Sequence, residues 1–370
     1  MKVLHVINSL APGGAERLAA DLLPRLIDTG IDVKLYVLDG RNDVFSEKLQ
    51  SRGISVTFAH KGGSSIYSPR RLFELRRYVA EEEPDILHSH LGPSFHWCTL
   101  AVSAIGSNRQ WPKLITTEHA VHNRRMRILF LRGFERYCYN RHDRIVCVSV
   151  EVAEALNEWL GISTERFPVI LNGIELDNFG ADNVPDAQLL SWAKGRKVIA
   201  MTARFIPAKD HGTAMAALKL LPEDFAAVFI GDGPDRKTAE KNALTLGIAE
   251  RCLFTGTRND VQNLLAASDF YMQTSITEGF GLGCLEAMAS GLPVVASSVG
   301  GLKSLVEGAG LLFPSGDFKA CAAALLELAD NSEIRVKVLA AQAARALRYS
   351  IDTSASEYRE LYNELMGPKT

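Results

Sequence analysis

The sequence predicts an α/β protein made of two successive units, each with a parallel sheet covered by helices. Short apolar runs alternate with helix-forming segments, first in "KVLHVIN", "DVKLYVLD", "DILHSHL" and "KLITTEH", and again in "KVIAMTA", "AAVFIGD" and "PVVAS". Strands that alternate with helices favour parallel pairing with right-handed crossovers. With 370 residues the chain exceeds one typical core, so two domains are expected.

A polar connection separates the two series of strands. The stretch 168–188, "PVILNGIELDNFGADNVPDAQ", combines an apolar run, which we interpret as a last strand, with residues typical of a linker. We therefore predict one domain over 1–175 and a second over 176–351. The final segment 352–370 carries an apolar helical stripe, so it need not belong to the domain that it follows.

Composition and charge exclude several classes of protein. The chain has 47% hydrophobic and 23% charged residues, a net charge of −2, and six scattered cysteines without a C-x-x-C pair. These values are typical of a folded protein of a reducing cytoplasm and give no signal for nucleic acid. The start "MKVLHVINSL" is interpreted as a buried strand, and no apolar run approaches the roughly 20 residues of a membrane helix.

The most informative motif is "EGFGLGCLEAMASGLPVVA" at 278–296. The glycines Gly279, Gly281 and Gly283 precede or open a helix, where free N–H groups and the helix dipole favour an anion. The carboxylates of Glu278 and Glu286 would repel an anion, and hydroxyl groups are their natural partners. A sugar phosphate, or a nucleotide that carries a sugar, satisfies both features.

Two strand–loop–helix units offer further phosphate ligands. Gly13 and Gly14 lie between the first strand and its helix, where glycine serves a tight turn as well as a close approach to phosphate. Arg204 and Lys209 follow the first strand of the second series, at a carboxyl end where ligands bind in such sheets. They can clamp a diphosphate or remain a solvated pair. Since no Asp-x-Asp pair is present, we expect no metal requirement.

The histidines fall into three kinds. His5 lies within the first strand and is interpreted as a core residue. His88 and His90 alternate at a strand end and are predicted to point the same way. His119 ends another strand beside Glu118, where a catalytic or sugar-binding role is favoured. A metal site built from these histidines is conceivable, but no carboxylate spacing supports it.

The segment 122–144, "HNRRMRILFLRGFERYCYNRHDR", carries seven arginines interleaved with aromatic and aliphatic residues. One interpretation is a basic amphipathic surface that rests on anionic lipid. The other is a buried helix with a solvated basic edge. Nucleic-acid binding is disfavoured, because no reader motif accompanies the charge.

Taken together, the motifs resemble a retaining glycosyltransferase of family 4. The resemblance covers nearly the whole chain in order: "GGAER", "VILNGIE", R-x4-K at 204–209, "IGDGP", "LFTGTRNDV" and E-x7-E. It implies the GT-B fold, two Rossmann-like domains with facing sheets and the active site between them. It also implies that the C-terminal helix, 352–370, crosses back onto the first domain.

The resemblance implies a role for each motif residue. Gly14, Arg204 and Lys209 would contact the diphosphate of a nucleotide-sugar donor. Glu286 would bind its ribose, and Glu278 would lie beside the transferred sugar. Backbone N–H groups of the first helical turn would also contact the sugar or phosphate, and these belong to Phe280, Gly281 and Leu282.

The resemblance likewise implies where the acceptor binds. His119 matches the histidine of the family that lies near the donor sugar and acts in catalysis. The acceptor site would lie in the first domain, with His88, His90 and the segment 122–144 nearby. No cofactor is expected beyond the donor, which would be a UDP-sugar on family prevalence, with GDP left open.

The expected activity is therefore transfer of a sugar to a hydroxyl group with retention of configuration. If 122–144 is exposed, the acceptor is a lipid-linked glycan or polysaccharide precursor at the cytoplasmic face of the membrane. If it is buried, a soluble small acceptor is favoured. A nucleotide-sugar epimerase and a non-catalytic nucleotide-sugar binding protein are alternatives on the same fold. A nicotinamide-dependent dehydrogenase is disfavoured, because no G-x-G-x-x-G follows the first strand.

Overall fold

The protein is described by a computed structural model that covers residues 1–59, 65–103, 112–121, 126, 131–180 and 182–367. The chain forms two compact units, Met1–Gly173 with Ile351–Thr370, and Ile174–Ser350. The boundaries expected from the sequence differ from these by one or two residues. Each unit has its own sheet and its own buried core.

The described strands are β1 Lys2–Ser9, β2 Asp32–Asp39, β3 Ser55–Phe58, β4 Ile86–His90, β5 Lys113–Glu118, β6 Arg144–Cys147, β7 Lys197–Thr202, β8 Phe225–Ile230, β9 Cys252–Gly256, β10 Phe270–Gln273, β11 Val294–Ser297 and β12 Leu311–Phe313. They form two six-stranded sheets, β3-β2-β1-β4-β5-β6 and β12-β11-β10-β7-β8-β9. Neighbouring strands pair in parallel in both sheets.

The described α-helices are α1 Gly14–Asp28, α2 Ser46–Ser51, α3 Arg70–Glu82, α4 Gly92–Ser103, α5 Arg132–Arg141, α6 Val150–Leu160, α7 Ala187–Ala193, α8 His211–Leu220, α9 Arg236–Leu246, α10 Val261–Ala266, α11 Leu282–Ala289, α12 Gly300–Val306, α13 Phe318–Asp330, α14 Ser332–Ala346 and α15 Ile351–Met366. Among these helices, none combines the length and the apolar character that a membrane crossing requires.

In the first unit, alternation along the strands sends side chains to opposite faces of the sheet. Val3 and Ile7 of β1 pack in the core that α1 and α15 cover, whereas Leu4 and Val6 pack on the other face. His5 has the parity of Val3 and Ile7, and its Cα pairs with that of His88 on β4. The face beneath α1 and α15 is therefore the face that receives the histidines.

The last helix, α15, belongs to the first unit. Its residues Ile351, Ala355, Tyr358, Leu361 and Tyr362 are buried in the core that also holds the apolar face of α1. The predicted return of the C-terminal helix to the first domain is therefore confirmed. The physical reason is the stripe of apolar and aromatic residues at helical spacing, which requires a buried partner surface.

In the second unit, β10 sends alternate residues to different environments. Phe270 and Met272 join a core of aromatic and aliphatic residues contributed by strands and by α8 and α13. The side chains of Tyr271 and Gln273 point to the opposite face of the sheet and are also buried. At β10, a buried polar pair thus lies on the side of the strand opposite to this apolar core.

The predicted α/β class with parallel sheets is confirmed, and two details differ from expectation. The run at 168–171 is not a strand, because Val169 forms only one bridge, to Cys147, and the chain then leaves the sheet. Proline at 168 has no N–H to extend the pairing. The short edge strand β12 was not predicted, since the three residues "LLF" give too brief an apolar signal.

Candidate functional site

In the second unit, the loop after β7 carries the two predicted cations. Arg204 is exposed, and Lys209 is half-buried in the 3-10 turn Pro207–Lys209. The Nζ of Lys209 forms a short ion pair with Oε2 of Glu278. The structure therefore brings Lys209 and Glu278 together, and the lysine charge offsets that of the carboxylate.

The loop that carries Glu278 is anchored to the loop that carries Lys209. The Oγ1 of Thr274 donates to the carbonyl of Asp210 at 2.8 Å, and the N–H of Ile276 donates to the carbonyl of Ala208 at 2.9 Å. These bonds fix the positions of the two loops relative to each other, so the backbone on both sides of the ion pair between Lys209 and Glu278 is held in place.

The helix α11 begins directly after the glycine-rich segment, as the sequence predicts. Gly281 precedes it with φ +100°, a conformation that favours glycine. The first turn, from Leu282, leaves backbone N–H groups without intrahelical partners, which favours an anion at this end. Phe280 is 5% exposed and can offer its backbone only.

Close packing is a further reason why two residues of the motif, Gly281 and Gly283, are glycines. A Cβ on Gly281 would lie 2.4 Å from Cδ2 of Leu302, and a Cβ on Gly283 would lie 2.3 Å from the hydroxyl of Tyr271. From the sequence, these glycines are attributed to backbone conformation and to ligand access. Close contact of α11 with its own unit also requires them.

Glu286 lies on α11 and is 7% exposed. Residues 284–288 of this helix are all buried, so Glu286 lies in a part of α11 that is enclosed by the unit. The two carboxylates of the E-x7-E motif thus differ in environment, since Glu278 is only half-buried and paired with Lys209.

Three residues that the sequence argument missed extend inward from Glu278. Tyr271, Gln273 and Ser275 are buried, and their polar groups form consecutive hydrogen bonds that end at Oε2 of Glu278. The signal in the sequence is an alternation of polar residues, Y-x-Q-x-S, in a strand that should otherwise be apolar.

In the first unit, His119 directly follows β5, as predicted. Its Nε2 is buried and has no hydrogen-bond partner in the described part of the chain. Burial lowers the pKa of His119 to about 4, so the ring is neutral near pH 7. A buried ring nitrogen without a partner costs free energy unless a ligand or water completes it, which makes His119 a candidate ligand-binding residue.

His88 and His90 are buried in the first unit. The Nδ1 of His88 lies 2.6 Å from the hydroxyl of Tyr362, and its Nε2 lies 2.8 Å from Oγ1 of Thr117. Both nitrogens of His88 are therefore engaged within the unit, which favours a structural role and gives no support to the predicted contact of His88 with an acceptor. His90 contacts the ring of His119 at 5.8 Å between centroids.

Ring nitrogens of His5, His88 and His90 lie within 4.8 Å of one another, a spacing that a metal ion could use. The geometry of the rings favours another interpretation. His88 and His90 are stacked at 4.5 Å, and Nδ1 of His5 is 3.0 Å from Nε2 of His90. A metal binds in the plane of each imidazole, so stacked rings do not converge on one ion. We describe the group as a hydrogen-bonded histidine network, and the expected absence of a metal requirement stays a prediction.

Glu118, beside His119, is held by α5. The hydroxyl of Tyr139 donates to Oε1 of Glu118 at 2.5 Å. On the same helix, Oε1 of Glu135 accepts from Nε2 of His96 at 2.8 Å. The helix α5 therefore supports the carboxyl end of β5, which the sequence argument did not anticipate.

The segment 122–144 is described only in part, because residues 122–125 and 127–130 lie outside the described residues. In α5, Cys138 and Tyr139 are buried, whereas Phe134 and Tyr137 are 41% and 48% exposed. The described part thus has a buried stripe, as expected of a buried helix, and an exposed aromatic and basic face, as expected of a surface that binds lipid. Each of the two interpretations is therefore met in part.

Gly14 opens α1 and is exposed, with Gly13 in the extended N-cap position. The helix has 15 residues, and its N-cap residue, Gly13, provides no side-chain hydrogen bond. The predicted turn between strand and helix is therefore present at the carboxyl end of β1.

Two family models match the chain. "Glycosyltransferase Family 4" matches residues 12–178, and "Glycosyl transferases group 1" matches residues 186–345. The Escherichia coli UDP-Gal:alpha-D-GlcNAc-diphosphoundecaprenol alpha-1,3-galactosyltransferase is 24% identical over 386 residues, covering 100% of this chain and 98% of that protein. The phosphatidyl-myo-inositol mannosyltransferase of Mycobacterium leprae is 25% identical, covering 95% of this chain and 93% of that protein.

Solved structures share the fold over the whole chain. Anabaena HepE in complex with UDP and glucose superimposes with a TM-score of 0.82 at 23% identity, covering 98% of this chain and 99% of that one. WaaG, a glycosyltransferase involved in lipopolysaccharide biosynthesis, superimposes with a TM-score of 0.74 at 15% identity, covering 98% and 99%.

The two parallel α/β units and these similarities define a glycosyltransferase with the GT-B fold. The chain belongs to glycosyltransferase family 4. The predicted fold and family are therefore confirmed.

Proposed function

We propose that the protein is a retaining hexosyltransferase that moves a sugar from a UDP-sugar to a hydroxyl group of a lipid-linked glycan or polysaccharide precursor. The observation that carries the proposal is the arrangement around α11, where Lys209 pairs with Glu278 in the loop that precedes the helix and Glu286 lies on the helix itself. UDP in HepE and the diphosphoundecaprenol acceptor of the Escherichia coli relative support the choice of donor and acceptor.

In this proposal the donor diphosphate is bound by cations and by backbone N–H groups. Arg204 is exposed and can offer its planar guanidinium to two phosphate oxygens, while Lys209 adds a compact charge. The start of α11 contributes N–H groups of Gly281 and Leu282. Negative charge grows on the β-phosphate as the sugar departs, so these groups stabilise the transition state more than the ground state.

The two glutamates are proposed to bind hydroxyl groups. Glu286 would accept hydrogen bonds from the ribose, and Glu278 would accept one from the transferred sugar. Glu278 already accepts from Ser275 and Lys209, as an ionised carboxylate does. We propose that the acceptor attacks on the face from which the phosphate leaves, and that the phosphate takes the acceptor proton, so no covalent enzyme intermediate is needed.

His119 is proposed to contact the donor sugar through its neutral ring. The low pKa of His119, about 4, keeps the imidazole uncharged. A neutral imidazole has one donor and one acceptor nitrogen, so it can donate or accept a hydrogen bond with a sugar hydroxyl. Gly14, at the start of α1, is proposed to approach the diphosphate, because a residue without a side chain leaves the helix N-terminus accessible.

The acceptor proposal rests on the exposed face of α5. Phe134 and Tyr137 are exposed beside the exposed arginines Arg132 and Arg136, a combination that suits the headgroup region of anionic lipid. A protein that collects a lipid-linked acceptor there would work at the cytoplasmic face of the membrane. His90, next to His119, is retained as a candidate acceptor contact.

A thermal-shift titration of the purified protein with UDP, GDP, ADP and NAD, with EDTA present, tests the donor site. Preferential stabilisation by UDP supports the proposal, because a ligand that binds only the folded state stabilises it by RT ln(1 + L/Kd), where L is the free ligand concentration, so the tighter ligand gives the larger shift at equal concentration. Stabilisation by NAD and by no nucleoside diphosphate would overturn it. Proton NMR of a UDP-hexose with the protein alone then separates a transferase from an epimerase, since only the epimerase changes the sugar without an acceptor.

A soluble acceptor is the alternative, and vesicles distinguish it. We expect the protein to co-sediment with vesicles containing anionic lipid and to bind less when Arg132 and Arg136 are replaced by glutamine. Transfer to soluble acceptors at full rate, without binding to anionic vesicles, would favour the alternative.

A further inference from the structure

We infer that Tyr271, Gln273 and Ser275 are positioning residues that orient Glu278 through a one-way relay of buried hydrogen bonds. The inference rests on the proposed function in one respect, the role of Glu278 beside the donor sugar. The E-x7-E motif does not include these three residues, which precede it on β10 and in the loop that follows β10.

The relay is continuous. The hydroxyl of Tyr271 donates to Oε1 of Gln273 at 2.9 Å, and Nε2 of Gln273 donates to Oγ of Ser275 at 2.9 Å. The hydroxyl of Ser275 then donates to Oε2 of Glu278 at 3.3 Å. Each group donates to the next, so the whole relay ends at an acceptor, the carboxylate.

The inner end of the relay is fixed by the strand and by α11. Tyr271 is fully buried, and its hydroxyl accepts the N–H of Thr202 at 3.3 Å. Burial raises the pKa of Tyr271 well above its ordinary value, which keeps its proton in place as a donor. The space for this hydroxyl exists because residue 283 is glycine.

The outer end of the relay acts on one carboxylate oxygen. Both Ser275 and Lys209 donate to Oε2 of Glu278. Within the described residues, no hydrogen bond reaches Oε1. The relay thus holds Oε2 in the protein and leaves Oε1 for a ligand hydroxyl. Ser275 is itself anchored, because its carbonyl accepts from Oγ of Ser297 at 2.6 Å.

The arrangement is unusual for a buried parallel strand, whose residues are normally apolar on both faces. Gln273 and Ser275 are 3% and 0% exposed, so neither contacts a ligand directly. A buried polar chain of this kind is costly unless every group is satisfied, and here each group is satisfied by the next. Its effect on the reaction would be exerted through Glu278.

The matched variants follow from the geometry. Ser275→Ala removes the donor to Glu278, and Ser275→Thr keeps a hydroxyl. Gln273→Glu replaces the donor amide by an acceptor of the same shape, so the Ser275 hydroxyl donates inward and leaves Glu278. Ser268→Ala is the control, because it removes a serine bond to the carbonyl of Leu264, 2.8 Å long, elsewhere in the same unit.

With UDP-glucose and other UDP-hexoses as donors, we expect Ser275→Ala and Gln273→Glu to lower kcat at least about tenfold. Their Kd for UDP should stay within about twofold of wild type, because UDP lacks the sugar. Ser275→Thr should recover kcat to within about threefold. Wild-type kcat in both Ser275→Ala and Gln273→Glu would overturn the inference, as would a loss of UDP affinity equal to the loss of kcat.

A double-mutant cycle on thermal stability tests the hydrogen bond between Ser275 and Glu278 without any substrate. If Ser275 and Glu278 interact, the Tm shifts of Ser275→Ala and Glu278→Gln are not additive, whereas those of Ser268→Ala and Glu278→Gln add. Additive shifts for the first pair would overturn the relay even if UDP binds. Coupling between Ser275 and Glu278 in a protein that fails to bind UDP would instead refute the proposed function and leave the relay standing.

Discussion

The hydroxyl of Tyr362, on the last helix, lies 2.6 Å from Nδ1 of His88 on the fourth strand. These residues are 274 positions apart in the chain, and both are fully buried. A second tyrosine of the same helix, Tyr358, lies 3.0 Å from Oγ1 of Thr117, which also contacts His88. The last helix is therefore joined to the first unit by specific hydrogen bonds as well as by apolar contact.

Replacing Tyr362 by phenylalanine should destabilise the first unit by about 1–3 kcal/mol, because Nδ1 of His88 is then buried without a partner. The ring remains, so the apolar contact with α1 is kept. Urea denaturation measures the change in the free energy of unfolding. Tyr67→Phe is the matched control, since Tyr67 is 70% exposed and its loss of a hydroxyl should cost nothing measurable. Equal stability of both variants would contradict the prediction.

The stability of the protein should fall as the pH is lowered from about 6.5 to about 4. Burial lowers the pKa of His5 to about 3 and those of His142 and His211 to about 4. The unfolded chain therefore binds more protons than the folded chain in this window, so stability rises with pH there and levels off above 6.5. Each buried histidine adds up to about 1.4 kcal/mol per pH unit.

Denaturation at several pH values measures this slope, and His142→Asn gives the control. An asparagine amide can replace the ring N–H at the carbonyl of Cys138, 3.0 Å from Nδ1 in the wild type, without titrating. We expect a shallower slope in His142→Asn. A slope as steep as that of the wild type would show that His142 is protonated in the folded state.

Glu286→Ala should weaken UDP binding by about ten- to a hundredfold, because each hydrogen bond from a hydroxyl to a charged group contributes about 1.5–3 kcal/mol. Isothermal titration calorimetry with UDP measures the effect. Unchanged affinity in this variant would refute the assignment of Glu286 to the ribose.

His119→Ala should show the opposite pattern, with UDP affinity close to that of the wild type and a kcat lowered about a hundredfold. The reason is that the proposed contact of His119 is with the sugar and not with the nucleotide. Steady-state kinetics with the preferred UDP-hexose provides the measurement. A loss confined to UDP affinity would show that His119 acts on the nucleotide instead.

Gly283→Ala should destabilise the second unit by about 1–3 kcal/mol, although alanine is normally the better helix former. Its Cβ would lie 2.3 Å from the hydroxyl of Tyr271. Tyr271→Phe in the same chain should recover part of the loss by removing that hydroxyl. The control is Gly133→Ala in α5, where a Cβ meets nothing within 4 Å and stability should rise slightly. Thermal denaturation distinguishes the two outcomes.

The architecture and the motif residues could be predicted from local patterns in the sequence. Alternating strands and helices predict two parallel α/β units, and local glycines and charges mark the loops at strand ends, because these signals depend on neighbouring residues. The same holds for the last helix, whose stripe of Tyr358, Leu361 and Tyr362 demands a buried partner. The short strand β12 and the isolated bridge at Val169 were not predicted correctly, because each involves only a few residues and depends on the neighbouring strand in the sheet.

The contacts between distant residues could not be predicted in this way, because they depend on packing in three dimensions. Lys209 and Glu278 are 69 residues apart, and no periodicity relates them. The same is true of His88 and Tyr362, whose contact turns a predicted ligand-facing histidine into a structural one. Pairing in the sheet and packing across helices set these distances, and a hydrogen bond forms or fails within about 0.5 Å. Local sequence therefore names the chemical groups, while the packed fold determines their partners.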